Sequence, residues 1–421
     1  MNKLLPWIKS NLISVVALLL AVVALPVAWF VSTGMAEADL EQAQSDINSV
    51  ERDLNGVSRT YTIPSLDPNA NDFTINSPPH PNLTAQVREQ TALAAEQAQR
   101  IRQLVIQQNA GEKERLIPEL FPEPAGESGP NGRIALTNQM LDRWPEAHRE
   151  LLQSVNAGSP PDPEDVRREL TAQRDRLQEQ FRRASAEGTL APEDRERIRE
   201  QLRDLRLERY REAASKLTFY ATPDAFATMQ NNPHPPGTRG PAIDEYQEQF
   251  WRWQHTYWVE SDIVKGLAAA NGSRSVLTGP VKRLVSLEVA PLDLTGQTGA
   301  GSDDYSASFT GRAGDDFYTV RYANLQLIAD VGRLTEIVNG LAEQNFITVI
   351  NWDYQLLAPS AGITRGYDYG DAQIASVNLT LETLWIRDWY DQWIPPTVRE
   401  LMGLPPLETA TNDDASNAND A

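Results

Sequence analysis

The longest apolar stretch in the chain runs from Leu12 to Val31, and the sequence after it is predominantly polar. A helix rises 1.5 Å per residue, so about twenty residues cross a hydrocarbon core of ~30 Å. The pattern therefore predicts one transmembrane helix over residues 12–32, through which the chain contacts the lipid bilayer.

Charged residues on the two sides of this stretch indicate its orientation. Lys3 and Lys9 precede it, whereas Glu37 follows it. The positive-inside rule then places residues 1–11 in the cytoplasm and the bulk of the chain outside. A cleaved signal peptide is the alternative, since the Ala-Glu-Ala sequence that begins at Ala36 has the form of a cleavage site. Against it, the apolar stretch exceeds the usual length of about 7–15 residues.

A heptad pattern follows the apolar stretch. The apolar positions alternate in steps of three and four, at Leu40, Ala43, Ile47, Val50, Leu54 and Val57. This spacing predicts a coiled-coil stalk over residues 35–58. Its seam residues Leu40, Ile47, Val50 and Leu54 are candidate interaction residues, and a lone amphipathic surface helix is the alternative.

The middle of the chain is dominated by charged helical sequence. A Pro-, Asn- and Ser-rich linker is expected over 59–82, a helical region over 83–218, and a second linker over 219–241. Within the helical region, Arg and Glu alternate around sparse apolar positions, which predicts a charged helical hairpin over 164–217. The hairpin is interpreted either as a spacer or as a docking surface for a partner.

The C-terminal region repeats one pattern twice. A stripe of apolar residues at helical spacing is followed by two strand patterns, near 281–290 and 317–329, in which apolar and polar residues alternate. The same order of helix, strand and strand then recurs. In the second strand the pair Val320 and Tyr322 is out of phase with the apolar residues after it, which predicts a bulge. The third strand, near 346–356, carries Ile350, Trp352, Tyr354 and Leu356 on alternate positions, and the fourth carries Val377, Leu379, Leu381 and Trp385.

Two such units can pair into one antiparallel sheet with both helices on one face. The fold class expected from the sequence is therefore α+β, with a single transmembrane helix, a stalk, a helical insertion and a ferredoxin-like αββ-αββ domain over 242–395. The tail over 396–421 is rich in Asn, Asp, Ala and Thr, and is expected to be disordered.

This architecture resembles PilO of type IV pilus machines and GspM of type II secretion systems. The resemblance covers residues 1–57 and 242–390, whereas residues 83–240 have no counterpart in the family. It implies a non-enzymatic scaffold in the bacterial inner membrane, with one membrane pass and a periplasmic bulk. It also implies pairing with itself or with a PilN-like or GspL-like bitopic subunit, and possible contacts with other pilus or secretion components.

Composition and motifs narrow the chemistry. The net charge of −20 disfavours nucleic acid as a partner, and the absence of cysteine excludes disulfides and thiolate metal sites. The four histidines lie in different segments without metal-ligand spacing, at His80, His148, His234 and His255. We therefore expect no enzymatic activity, no cofactor and no metal.

Tryptophan clusters are the remaining candidates for a binding role. Trp251 and Trp258 lie on the first helix of the C-terminal region, and Trp389 and Trp393 follow its last strand. Core packing explains such clusters most simply, although buried tryptophans also anchor protein interfaces. A sugar-stacking surface is the competing role, and it leads to the alternative function of a membrane-tethered envelope module that binds glycan.

Overall fold

The computed structural model describes most of the chain after the predicted membrane segment. The described residues are 39–53, 59–63, 72–77, 81–124, 130–185, 188–230, 246–292, 310–312, 314 and 317–407. They belong to two compact units, Met1–Gln103 and Leu104–Ala421. The predicted transmembrane helix over 12–32 lies outside the described residues. None of the helices within them is both long and apolar enough to span a bilayer.

The first unit contains the stalk helix and a small hairpin. Helix α1 covers residues 39–53. Strands β1 (Arg59–Ile63) and β2 (Phe73–Ser77) pair antiparallel within the stretch that was expected to be a linker. Both strands are rich in Thr, Ile and aromatic residues, which favour extended backbone and outweigh the Pro- and Asn-rich surroundings. Helix α2 (Pro81–Ala110) begins in this unit.

The second unit holds the remaining helices. They are α3 (Pro130–Ser154), α4 (Pro163–Ala184), α5 (Pro192–Lys216), α6 (Ala227–Gln230), α7 (Gln247–Asn271), α8 (Leu334–Gln344) and α9 (Pro396–Leu401). Local signals set their ends. The Asp162 side chain accepts a hydrogen bond from the backbone N–H of Glu164 at 2.7 Å, which caps α4. Helix α7 ends at Gly272, whose φ of 57° lies in the left-handed region.

One antiparallel sheet of four strands organises this unit. Its strands are β3 (Val281–Val289), β4 (Tyr318–Asp330), β5 (Ile347–Leu356) and β6 (Ile374–Ile386), in the spatial order β3-β4-β6-β5. Helices α7 and α8 pack on one face and approach each other closely at Gly340. A Cβ there would lie 2.7 Å from the backbone nitrogen of Ala270, so only glycine fits.

The predicted bulge in the second strand is wrong. Strands β4 and β6 pair continuously from Tyr318 opposite Ile386 to Asp330 opposite Ile374, and the irregular positions lie on β3 and β5. Val320 and Tyr322 point to the face away from the helices, while the alternate positions Arg321 and Ala323 are buried on the other face. The apolar residues of β4 therefore lie on both faces of a regular strand.

The fold class expected from the sequence is also wrong. The described chain has a mixed α/β architecture, in which the helical region is not an insertion beside a separate ferredoxin-like domain. Phe121, Trp144 and Leu151 from the helical region share one core cluster with Leu325 and Leu379 of the sheet. The reason is that α7 is buried on nearly all sides, so its face away from the sheet needs a cover.

Segments expected to be linker or tail also belong to this unit. Phe219 and Phe226, in the stretch expected to be a linker, are fully buried. Val398 of α9 is fully buried as well, in the stretch expected to be disordered. Residues 408–421 lie outside the described residues. Large apolar side chains thus hold these segments in the folded unit, although the Pro, Gly and polar residues around them are typical of loops.

A buried polar hub connects the end of α2 to the sheet. The Asn109 amide donates to the Asn345 side-chain oxygen at 3.0 Å and to the Leu384 carbonyl at 2.8 Å. Its oxygen accepts from the Ile386 backbone N–H at 2.7 Å and from the Trp389 indole at 2.8 Å. Both donors and both acceptor positions of this amide are thereby used, which suits a side chain with no exposed surface.

A buried ion pair extends this hub to α7. Lys113 Nζ lies 3.0 Å from Asp262 Oδ2, which also accepts from the Asn345 amide at 2.6 Å. Burial lowers the pKa of Lys113 and raises the pKa of Asp262, and the attraction between the two charges opposes both shifts. The pair therefore needs the additional hydrogen bonds around it to offset the loss of water.

Leu379→Asp tests the assignment of the sheet faces. Leu379 is 3% exposed on the helix-covered face of β6, so an aspartate there buries an unpaired charge. We expect a loss of several kcal/mol in the free energy of unfolding, measured by urea denaturation. Thr380→Asp, on the next residue and the opposite half-exposed face, is the matched control and should cost under about 1 kcal/mol. Equal losses in the two variants would show that the faces are wrongly assigned.

Asn109→Ala tests the hub. Removing the amide leaves the Leu384 carbonyl, the Ile386 N–H and the Trp389 indole without this partner inside the core. Unsatisfied buried groups cost about 1–3 kcal/mol each, so we expect a loss of about 3 kcal/mol or more in unfolding free energy. Gln108→Ala, at the exposed neighbouring position, should have little effect. A melting temperature unchanged by Asn109→Ala would contradict a structural role for the hub.

Candidate interaction sites

The stalk helix α1 presents its heptad seam to solvent. Leu40 is 67% exposed, Ile47 is 65% exposed and Val50 is 56% exposed. Leu54, the fourth predicted seam residue, lies outside the described residues. Residues 40, 47 and 50 are spaced by seven and three, so they form one stripe along the helix.

No residue of α1 is buried in the single chain. All of its positions from 39 to 53 are exposed, and two side-chain hydrogen bonds between described residues of this helix are local. Ser49 donates to the Asp46 carbonyl at 2.8 Å and Arg52 donates to the Asn48 carbonyl at 3.2 Å. Isolated helices of about 12–15 residues are only marginally stable in water. The helix therefore gains most if another apolar surface covers its seam.

The tryptophan candidates lie inside the second unit. Trp251 and Trp258 are each 1% exposed, Trp389 is 8% exposed, and Trp393 is half-buried. Trp251 meets Phe121 edge-on at 5.4 Å between ring centroids, and Trp258 lies 4.9 Å from Trp389. These rings fill the space between α7 and the turn after β6. They are packing residues, and three of the four have no face open to a partner in the single chain.

Strand β5 carries an apolar stripe that the sequence did not identify as a site. Trp352 is 49% exposed, and Tyr354 and Leu356 are each 53% exposed. They lie opposite Leu379, Val377 and Ala375 of β6, so they belong to the face that α7 and α8 cover elsewhere. The helices do not extend over this end of β5. Alternation in the sequence placed these residues on the apolar face but could not show that the face is uncovered there.

Buried ionisable pairs do not form an accessible reactive centre. His148 Nε2 lies 2.8 Å from Glu260, and His255 Nδ1 lies 2.8 Å from the Arg321 guanidinium. Burial, reinforced by the Arg321 charge, holds the pKa of His255 well below its usual value, and burial lowers the pKa of Arg321 to about 10. These pairs connect α7 to α3 and β4.

Metal binding has no support in the described part of the chain. There, no group of three or more His, Asp or Glu side chains is placed to hold a metal ion. His80 and His234 lie outside the described residues.

A shallow groove lies between α4 and α5. Its volume is about 340 Å³, and Val166, Leu170, Leu202, Arg206 and Tyr210 contribute to its lining. Two further arginines at the groove pair with acids of their own helix, Arg167 with Glu164 and Arg174 with Asp175. The third arginine of the lining, Arg206, has a buried Nε without a hydrogen-bond partner among the described residues.

Comparison with known proteins adds little. No protein-family model matches the chain, and no curated protein shows significant similarity to it. A crystal structure from Akkermansia muciniphila aligns with 59% of this chain and 96% of its own, at 11% identity and a TM-score of 0.23. A likeness at that score carries no argument about fold or function.

Proposed function

We propose that this chain is a non-enzymatic, membrane-anchored scaffold of an envelope-spanning machine of the type IV pilus or type II secretion kind. It acts by associating with itself or with a second bitopic subunit outside the membrane. The observation that carries the proposal is the uncovered seam of Leu40, Ile47 and Val50 on α1. A helix with an apolar seam and no buried residue is suited to pairing with another helix.

The seam can supply enough energy for reversible association. Each large apolar side chain removed from water contributes about 1.5–3 kcal/mol when fully buried, and less at a partly covered seam. Three such residues on each of two helices offset part of the entropy lost on association. Chains anchored in one membrane also meet at a high effective concentration, so a short seam suffices.

A glycan-binding envelope module is the second candidate. Burial of Trp251, Trp258 and Trp389 removes the rings first considered for sugar stacking. The observation that supports this second candidate is the exposure of Trp352 and Tyr354 on β5, because flat aromatic faces can stack on sugar rings. Binding of isolated peptidoglycan by the full chain, lost on changing Trp352 to Ala, distinguishes this function from assembly.

Ile47→Asp combined with Val50→Asp tests the stalk. The two carboxylates would face each other across a paired seam, so we expect association to fall at least about tenfold. Ala43→Cys, on the same seam, reports pairing by disulfide formation in membranes, since the chain has no other cysteine. The measured quantity is the crosslinked fraction of the full chain.

The control places the same charges on the opposite side of α1. Ser45→Asp combined with Ser49→Asp should leave the crosslinked fraction near that of the Ala43→Cys parent. Circular dichroism of both double variants checks that the sheet unit stays folded. Equal crosslinking in the seam variant and the control would remove the stalk from the association surface.

A further inference from the structure

The two edges of the four-stranded sheet differ. The outer edge of β3 is covered by the chain's own segment around Tyr220. The Tyr220 N–H donates to the Lys282 carbonyl at 2.9 Å, and its carbonyl accepts from the Leu284 N–H at 2.8 Å. Phe226 forms a further bridge opposite Leu287. Within the described residues no segment pairs with the outer edge of β5, which is the last strand of the sheet.

The open edge lacks the features that usually protect such strands. Natural edge strands are shielded by Lys, Pro, inward-pointing charges or strong bulges near the exposed end. Strand β5 contains no Lys and no Pro, and its one charged residue is Asp353 on the face away from the helices. Its one irregularity lies between Val349 and Asn351, before the exposed stripe. The stripe of Trp352, Tyr354 and Leu356 therefore continues along a regular, unprotected edge.

We propose that β5 pairs antiparallel with β5 of a second copy of this chain, which joins two sheets into one continuous sheet of eight strands. This proposal rests on the proposed function in taking self-association as the way the protein works. The surface involved is separate in sequence from the stalk seam, so the two contacts can be tested independently.

The sequence of β5 is self-complementary about Tyr354. In an antiparallel pair, opposite residues lie on the same face, so the symmetry point must be a residue. With Tyr354 at that point, Trp352 of one copy lies opposite Leu356 of the other, and Tyr354 lies opposite itself. All three exposed apolar residues then gain apolar neighbours, and Asp353 lies opposite the Gln355 amide.

Other registers are less favourable. Pairing about Asp353 places two carboxylates directly opposite each other, which is destabilising. Pairing about Trp352 places Leu356 opposite Thr348, so the paired segment has to include the irregularity between Val349 and Asn351. The Asp353 charge and the irregularity of β5 therefore favour the register with the symmetry point at Tyr354.

Disulfide trapping tests this register in the full chain. Directly opposite residues in an antiparallel pair have Cα atoms about 4.5–5.5 Å apart, which is within the range that a disulfide bridges. The variant Asp353→Cys with Gln355→Cys should therefore give an oxidised dimer. Each single variant places its two cysteines on a diagonal about 7–8 Å apart and should crosslink about tenfold less.

Breaking the stripe supplies the second measurement. Trp352→Lys, added to the double-cysteine variant, places a charge on the paired face and should lower the crosslinked fraction at least about tenfold. Because Trp352 is half-exposed, the fold should tolerate the change, which circular dichroism checks. Thr348→Lys is the matched control, since it is exposed on the same strand but outside the paired segment.

The outcomes separate this proposal from the proposed function. Absence of the β5 crosslink, or a crosslink insensitive to Trp352→Lys, overturns the sheet pairing even if the Ala43→Cys stalk crosslink forms. Loss of the stalk crosslink alone, with β5 crosslinking retained, contradicts the stalk and leaves the sheet pairing intact. Crosslinking of the Asp353→Cys single variant at full yield overturns the register. Trp352-dependent retention on peptidoglycan without any β5 crosslink overturns the pairing in favour of glycan binding.

Discussion

Burial of helix α7 is the constraint on which the second unit depends. The helix lies against the sheet on one side and beneath the helical region on the other, yet its sequence includes polar and charged residues that have no water to bind. A buried polar group without a partner costs free energy, so each needs one from a neighbouring element. The partners come from different parts of the chain. Gln254 accepts a hydrogen bond from the Leu116 N–H, and His255 lies within hydrogen-bond distance of Arg321. Glu260 lies within hydrogen-bond distance of His148, and Asp262 pairs with Lys113 and accepts from Asn345. These contacts make the helical region part of the sheet unit.

The local elements were more predictable than their assembly. Strands near 281–290 and 346–356 could be located from alternation because period-two patterns depend only on neighbouring residues. The role of the helical region could not, because the contact of His148 with Glu260 joins residues 112 positions apart. No local pattern encodes such a pair. The same limit explains why the predicted bulge near Val320 and Tyr322 is wrong. Both faces of β4 contact other parts of the chain, so apolar residues occur on both faces of a regular strand.

The candidate sites show the same limit. The seam positions Leu40, Ile47 and Val50 were identified from heptad spacing, and the structure adds their exposure. Trp251 and Trp258 carried the right residue type for a hot spot but lie in the core. The stripe on β5 has the ordinary alternation of a covered strand, and only the strand order shows that it is an edge. Exposure depends on how the elements of the fold pack together, so residue type alone cannot distinguish an interface residue from a core residue.

The proposed scaffold function needs one part that does not deform and other parts that bind. The polar pairs around α7 have few alternative arrangements in a dry core, which favours a single rigid packing. Exposed apolar side chains include the seam of α1 and the stripe at the free edge of β5, and others lie on α2 at Leu93, Ile101 and Leu104. Each surface is small for a stable interface, which typically buries about 800 Å² per partner. In the proposed assembly, two weak contacts on one chain nevertheless reinforce each other, because the first one formed raises the effective concentration for the second. Either contact alone then gives weaker association than the two together.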